Sequence, residues 1–236
     1  MEVQDLGGGL WRWTAPHPEW TPEKDKPGGW GREVASVYVE MPGADTLVLI
    51  DPLVPREGSR EAERFWTLLD ADLARSGRKL AIVLACPYHQ RSTARITERF
   101  AVTHKAEVLG LPGVRARHGE LVTRTFHSGE SLPGGLVGYA IDGLEAGEAA
   151  CWIPERRALV VGDTVMGTGR GLAVAPPSWA VKTPEGLADY EARFRPSLRR
   201  LLDLSIEAFL PSHGAPVLTE GRAALAAALD APAWGE

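Results

Sequence analysis

The clearest periodic signal in the chain is an alternation. Val34, Ser36, Tyr38 and Glu40 interleave with Ala35, Val37, Val39 and Met41 before the turn Pro42-Gly43-Ala44-Asp45. Alternation of this kind predicts a strand with two unlike faces. A second strand, 46–50, follows at once and stops at Asp51-Pro52, so the pair predicts an antiparallel hairpin. From Ser59 the period changes: Phe65, Leu68, Leu69 and Leu73 lie on one helical stripe, with a capping hydroxyl in front and Gly77 behind. Residues 80–84 are nearly all apolar, which predicts a strand buried on both faces. A helix carrying Ile96 and Phe100 inward and a strand at 107–109 come next.

The second half repeats this order. Strands are expected around Val122 and Val137, at 149–153 and at 158–161, then one helix over 187–204, a strand at 208–210 and a last helix from Thr219. The opening thirty residues predict only a turn at Gly7–Gly9, a short strand bearing Trp11 and Trp13, and an irregular loop after Pro16. Strands then helix, twice over, point to two similar halves packed as one domain, with helices outside.

Composition narrows the class without naming it. Apolar residues make up 44% and charged residues 24% of 236, as in ordinary globular proteins. A net charge of -5 gives no reason to expect nucleic acid or an anionic membrane as partner. The start lacks a basic segment followed by an apolar core, and no apolar run approaches the roughly 18 residues of a spanning helix, so a cytoplasmic protein is expected. Cys86 and Cys151 lack metal-ribbon spacing, and as two small buried residues they need no disulfide. His17, His104, His118 and His127 show no ligand partners at useful spacing. Trp152 reads as core, whereas Trp11, Trp13, Trp20, Trp30 and Trp179 are core or the mouth of a cleft.

Three short signatures, in this order, carry a resemblance. Leu49-Ile50-Asp51 ends a strand on an acid, Gly162-Asp163-Thr164 follows Val160-Val161, and Pro211-Ser212-His213-Gly214 forms a late turn. Together they resemble the metallo-β-lactamase superfamily over about residues 5–229. The resemblance implies an α/β fold, the four-layer αβ/βα sandwich of two mixed sheets with helices on both outer faces. It also implies that Asp163 and His213 stand at metal-ligand positions. The family's His-x-His-x-Asp-His motif falls between a buried strand and a helix, here Cys86 to Ser92. Fixed by the strand end, its register meets Cys86, Tyr88, Gln90 and Arg91. Fixed by Ile96 facing inward, it meets Pro87, His89, Arg91 and Ser92, and this second register is preferred because a one-residue slip turns a helix by about 100°. The family's Gly-His-Thr-Pro-Gly stretch corresponds to Gly143-Leu144-Glu145-Ala146-Gly147, with Leu144 at the ligand position.

The remaining metal candidates are therefore His89, Asp163 and His213, while Pro87, Arg91, Ser92 and Leu144 cannot serve the family's two-zinc site. Cys86, Tyr88, Arg91, Ser92 and Leu144 are expected to line the cleft. No cofactor is expected, and no family-type dinuclear zinc; a single zinc or other divalent ion is compatible with two histidines and a carboxylate. Charge balance predicts that Arg91 pairs with Asp163 in place of the lost cations. Three functions follow. One is an inactive relative binding a small molecule or a protein in the old cleft. Another is a single-metal hydrolase of an ester, lactone or thioester. The third is a metal-free hydrolase using Cys86 or Ser92 with His89.

Overall fold

The computed structural model describes residues 1–25, 29–143, 147–179 and 183–235. The first sheet has seven strands in sequence order: β1 (Glu2–Asp5), β2 (Leu10–Pro16), β3 (Glu33–Val39), β4 (Thr46–Ile50), β5 (Lys79–Leu84), β6 (Glu107–Gly110) and β7 (Arg124–Thr125). β1 to β4 pair antiparallel and β4 to β7 pair parallel, so the sheet is mixed. Parallel neighbours need crossovers, and helices supply them. Helix α1 (Arg60–Ser76) links β4 to β5, α2 (Thr93–Arg99) links β5 to β6, and α3 (Pro112–His118) follows β6. Ser59 accepts a hydrogen bond from Ala62 N, and Gly77 closes α1 in the left-handed region at φ 63°. Both ends of α1 therefore fall where the cap residues predict.

The second sheet has the order β14 (Ala208–Pro211), β11 (Ala158–Val161), β10 (Glu148–Ile153), β9 (Leu136–Ile141) and β8 (Glu130–Leu132). Its β11–β14 pair is parallel and the others antiparallel. The two faces of this sheet serve different cores. Ala149, Cys151, Ile153, Ala158 and Val160 join the core that contains the first sheet and Phe65, Leu69 and Leu73 of α1. Ala150, Trp152, Leu159 and Val161 join Phe194, Leu198 and Leu225 of the opposite helical layer. Helix, sheet, sheet, helix is the four-layer order expected, with β5 and β11 interior to their sheets.

Three local expectations are corrected. A two-stranded sheet, β12 (Val165–Thr168) with β13 (Gly171–Val174), stands where no strand is expected. The helix expected over 187–204 is broken into α4 (Pro184–Asp189), a π turn at Tyr190–Phe194, α5 (Arg195–Arg200) and a 3-10 turn at Leu201–Asp203. The break precedes Pro196, which has no amide to donate and whose ring clashes with the carbonyl one turn back. Val122 is buried, but β7 starts two residues later, after a 3-10 turn at Gly119–Leu121. The last helix, α6 (Gly221–Asp230), packs on β13 and β14.

Candidate active site

The site lies where β4, β5, β11 and β14 end. Each contributes side chains through the turn that follows it, and the segment after β5 supplies Cys86, His89 and Arg91. After β5 the chain folds so tightly that His89 N donates to Cys86 O at 3.0 Å. Asp51 and Arg91 carry positive φ, 47° and 41°, a conformation that side chains other than glycine adopt only under constraint. The turn after β11 needs its glycine: a Cβ at Gly162 would sit 2.6 Å from Cys86 Cβ. The turn after β14 needs Gly214, where a Cβ would lie 1.9 Å from Gly167 O.

These turns bring His89, Asp163 and His213 together. Asp163 Oδ1 lies 3.0 Å from His89 Nε2 and 3.0 Å from His213 Nε2. Neither contact is aligned as a hydrogen bond, so Oδ1 is a buried oxygen without a well-directed donor, and His213 Nδ1 is likewise unpartnered. The other carboxylate oxygen, Oδ2, lies 3.4 Å from Cys86 Sγ. Behind His89, Asp51 Oδ2 meets Nδ1 at 2.8 Å while Oδ1 accepts from Ala85 N at 2.8 Å. The carboxylate thereby fixes the ring orientation, as such partners do for ligating histidines.

Asp163 is itself held from beneath. Glu148, at the first position of β10, accepts from Gly162 N (3.0 Å), Asp163 N (2.7 Å), Thr164 N (3.0 Å) and Thr164 Oγ1 (2.5 Å). Burial, then the charge of Asp163, raises the Glu148 carboxyl to about 7 despite those bonds. Burial also opposes ionisation of Asp163, but the charge on His89 and the contacts from His213 and His89 outweigh it and hold the carboxyl well below its usual range. For His89, burial and the charge of Arg91 lower the pKa; Asp163 and Asp51 prevail and raise it to about 9. Burial and the surrounding carboxylates of Asp163, Glu148 and Asp51 push the Cys86 thiol far above its ordinary value.

The pairing of Arg91 with Asp163 is not formed. The Arg91 guanidinium is buried, and Nη1 donates to Ala35 O (2.6 Å) and Asp51 O (2.8 Å). Its Nη2 lies 3.4 Å from Ser212 Oγ and 3.3 Å from His89 Nε2. The cation therefore seals carbonyls at the ends of β3 and β4, and Asp163 takes two imidazoles instead. Ser92 turns away as well: its buried hydroxyl accepts from Val54 N at 2.9 Å and does not cap α2. Burial raises the Cys86 thiol, and the Ser92 hydroxyl is engaged by Val54 N. Leu144 lies outside the described residues.

Above the cluster opens a cavity of about 740 Å3. Cys86, His89, Asp163 and His213 form its floor, and Trp30, Tyr88 and Trp179 stand on its walls. His17, which spacing alone leaves without a role, is also there; its ring meets Trp30 edge to face at 5.0 Å, and Trp30 in turn meets His213 at 5.3 Å. Burial, then the charge of Arg91, lowers His17 to about 4, so it faces the cavity uncharged. Trp13 is core, and its indole N–H donates to Leu53 O. Trp11 packs against Tyr38, and Trp20 donates to Trp30 O.

No protein-family model matches the sequence, and no curated protein matches it. Solved structures do. A β-lactamase domain protein from Burkholderia ambifaria superposes with a TM-score of 0.63 at 17% identity, covering 96% of this chain and 75% of the other. A metallo-β-lactamase from Pontibacter korlensis gives 0.62 at 15%, covering 97% and 98%. A metallo-β-lactamase family protein from Thermus thermophilus gives 0.54 at 19%, covering 96% and 80%. The chain has the metallo-β-lactamase fold. Among the described residues no helix is long and apolar enough to cross a membrane.

The fold implies zinc, and among the described residues one group of donors fits an ion. Donors around a tetrahedral ion about 2.1 Å away stand roughly 3.4 Å apart; His89 Nε2 and His213 Nε2 each lie 3.0 Å from Asp163 Oδ1, and among the described residues the donors of Cys86, His89 and Asp163 all lie within 4.8 Å of one another. An unsatisfied, buried Oδ1 between two imidazole nitrogens is the arrangement a shared cation relieves. At the motif positions Pro87 and Arg91 bring no metal donor, and the Ser92 hydroxyl accepts from Val54 N.

Proposed function

We propose that the cleft is a hydrolase-like site for a small molecule, organised around a single divalent ion held by His89, Asp163 and His213. The observation that carries this reading is a buried Asp163 Oδ1, without a well-directed donor, that lies 3.0 Å from Nε2 of His89 and 3.0 Å from Nε2 of His213. A bound ion there supplies Lewis acidity and a water of lowered pKa. The chain supplies the rest: Asp51 orients His89, Glu148 fixes the turn that presents Asp163, and Trp30, Tyr88 and Trp179 give the cavity apolar walls. Esters, lactones and thioesters are the substrate class, since one ion and its water suffice for acyl cleavage.

A second reading, a cleft that binds its ligand with neither metal nor turnover, draws support from Arg91. Its guanidinium stands 3.3 Å from His89 Nε2, and Arg91 with protonated His89 offsets the charges of Asp51 and Asp163 without any metal. Hydrolysis of a panel of nitrophenyl esters, lactones and thioesters by zinc-loaded protein decides between them. Turnover of at least one compound, lost in Asp163→Ala and on chelation, is expected. Zinc-loaded protein that hydrolyses none leaves the binding cleft as the function.

A further inference from the structure

Cys86 is the one donor in the cluster that the fold's ligand positions do not explain. In the register fixed by Ile96, the residue lies one position before the motif, on the last turn of chain leaving β5. Yet its Sγ, a ring nitrogen of His89 and a carboxylate oxygen of Asp163 all lie within 4.8 Å of one another. We infer that the single ion is thiophilic and that Cys86 is one of its protein ligands, giving it a thiolate beside the imidazole of His89 and the carboxylate of Asp163. This rests on the single-ion reading above and gives that ion its chemistry.

Charge argues for the thiolate. A dication at this point faces the Arg91 guanidinium, which is buried, hydrogen-bonded to Ala35 O and Asp51 O, and unable to leave or lose its charge. With only Asp163 as an anionic ligand the repulsion is poorly offset. A thiolate adds a second negative charge inside the coordination sphere, and Asp51 adds a third just behind His89.

The same carboxylates explain how Cys86 looks here. Cys86 Sγ lies 3.4 Å from Asp163 Oδ2, and a buried thiol facing a carboxylate keeps its proton. A coordinated cation reverses that preference and leaves sulfur as thiolate. Burial of the thiol removes it from oxidants and competing reagents, as suits a ligand more than a nucleophile. Soft thiolate with imidazole selects zinc, cobalt or copper(I) over magnesium or calcium.

Cobalt(II) is the probe that reads both claims. Protein stripped by chelator and given one equivalent of cobalt(II) is expected to show visible d–d bands of a four-coordinate site and a near-ultraviolet thiolate-to-cobalt charge-transfer band. That band is expected to vanish in Cys86→Ser and Cys86→Ala, with d–d bands retained, and to persist in Cys151→Ser. Cobalt bound with no charge-transfer band, or a band lost only in Cys151→Ser, overturns Cys86 as a ligand and leaves the single-ion cleft standing. No d–d bands at all overturns the single-ion cleft itself. Should the Cys86 variants fail to fold, zinc X-ray absorption on the intact chain decides the same question: one sulfur bound to the ion supports Cys86 as a ligand, and none overturns it.

Discussion

Truncating Glu148 is expected to cost about 3 kcal/mol of folding stability, a large part of the roughly 5–15 kcal/mol of a typical domain. Its carboxylate satisfies three backbone amides and one hydroxyl in the Gly162–Thr164 turn, all buried or nearly so. Glu148→Ala strands those donors, and each buried unsatisfied donor costs about 1–3 kcal/mol. Two effects reduce the sum. Water from the adjoining cavity reaches part of the turn, and removing a carboxyl whose burial raises it to about 7 relieves some desolvation. Glu148→Gln should cost less, about 1–2 kcal/mol: one oxygen keeps its partners, but the new amide faces the N–H of Asp163. Urea unfolding at pH 7, with equal m-values, measures both. A Glu148→Ala midpoint within error of wild type would refute the claim that this carboxylate holds the turn.

Three further outcomes follow from the same geometry. In chelator-treated protein, His89 at about 9 against an ordinary 6.5 binds its proton more tightly when folded. That stabilisation, up to about 3 kcal/mol, is fully present below pH 6.5 and is lost as pH rises through 9. Urea midpoints should fall over that window, and His89→Asn should flatten the slope; an unchanged slope would mean His89 is neutral in the fold. Arg91→Lys should destabilise by about 2–4 kcal/mol, because an ammonium cannot serve Ala35 O, Asp51 O and Ser212 Oγ with the same fork. A thermal scan showing wild-type stability for Arg91→Lys would contradict the bidentate role.

Much of the architecture is legible because periodicity is local. The β3–β4 hairpin, α1 with both caps, and the buried runs of β5 and β11 follow from alternation, stripe and apolar length within single segments. The β12–β13 hairpin is hidden because Gly167, Gly169 and Gly171 dilute its pattern. Pro196 is the visible sign that the long helix breaks. At the site, His89, Asp163 and His213 are found through motif positions, and the structure does bring them together. Asp51 and Glu148 have no site role that spacing reveals, because their partners lie 34–38 and 14–16 residues away. Glu148 does leave a trace, a lone acid opening the otherwise apolar strand Glu148–Ile153. Arg91 is misplaced by the sequence argument because charge balance names how much positive charge a site needs but not which cation supplies it; two imidazoles are nearer to Asp163.

The number of metal ions bound at the cleft tests the central claim most directly. Calorimetric titration of zinc into stripped wild-type protein, checked by elemental analysis of protein purified without chelator, should give one ion per chain, and His213→Ala should abolish or strongly weaken it. Two ions per chain, or none in the wild type, would contradict the single-ion cleft.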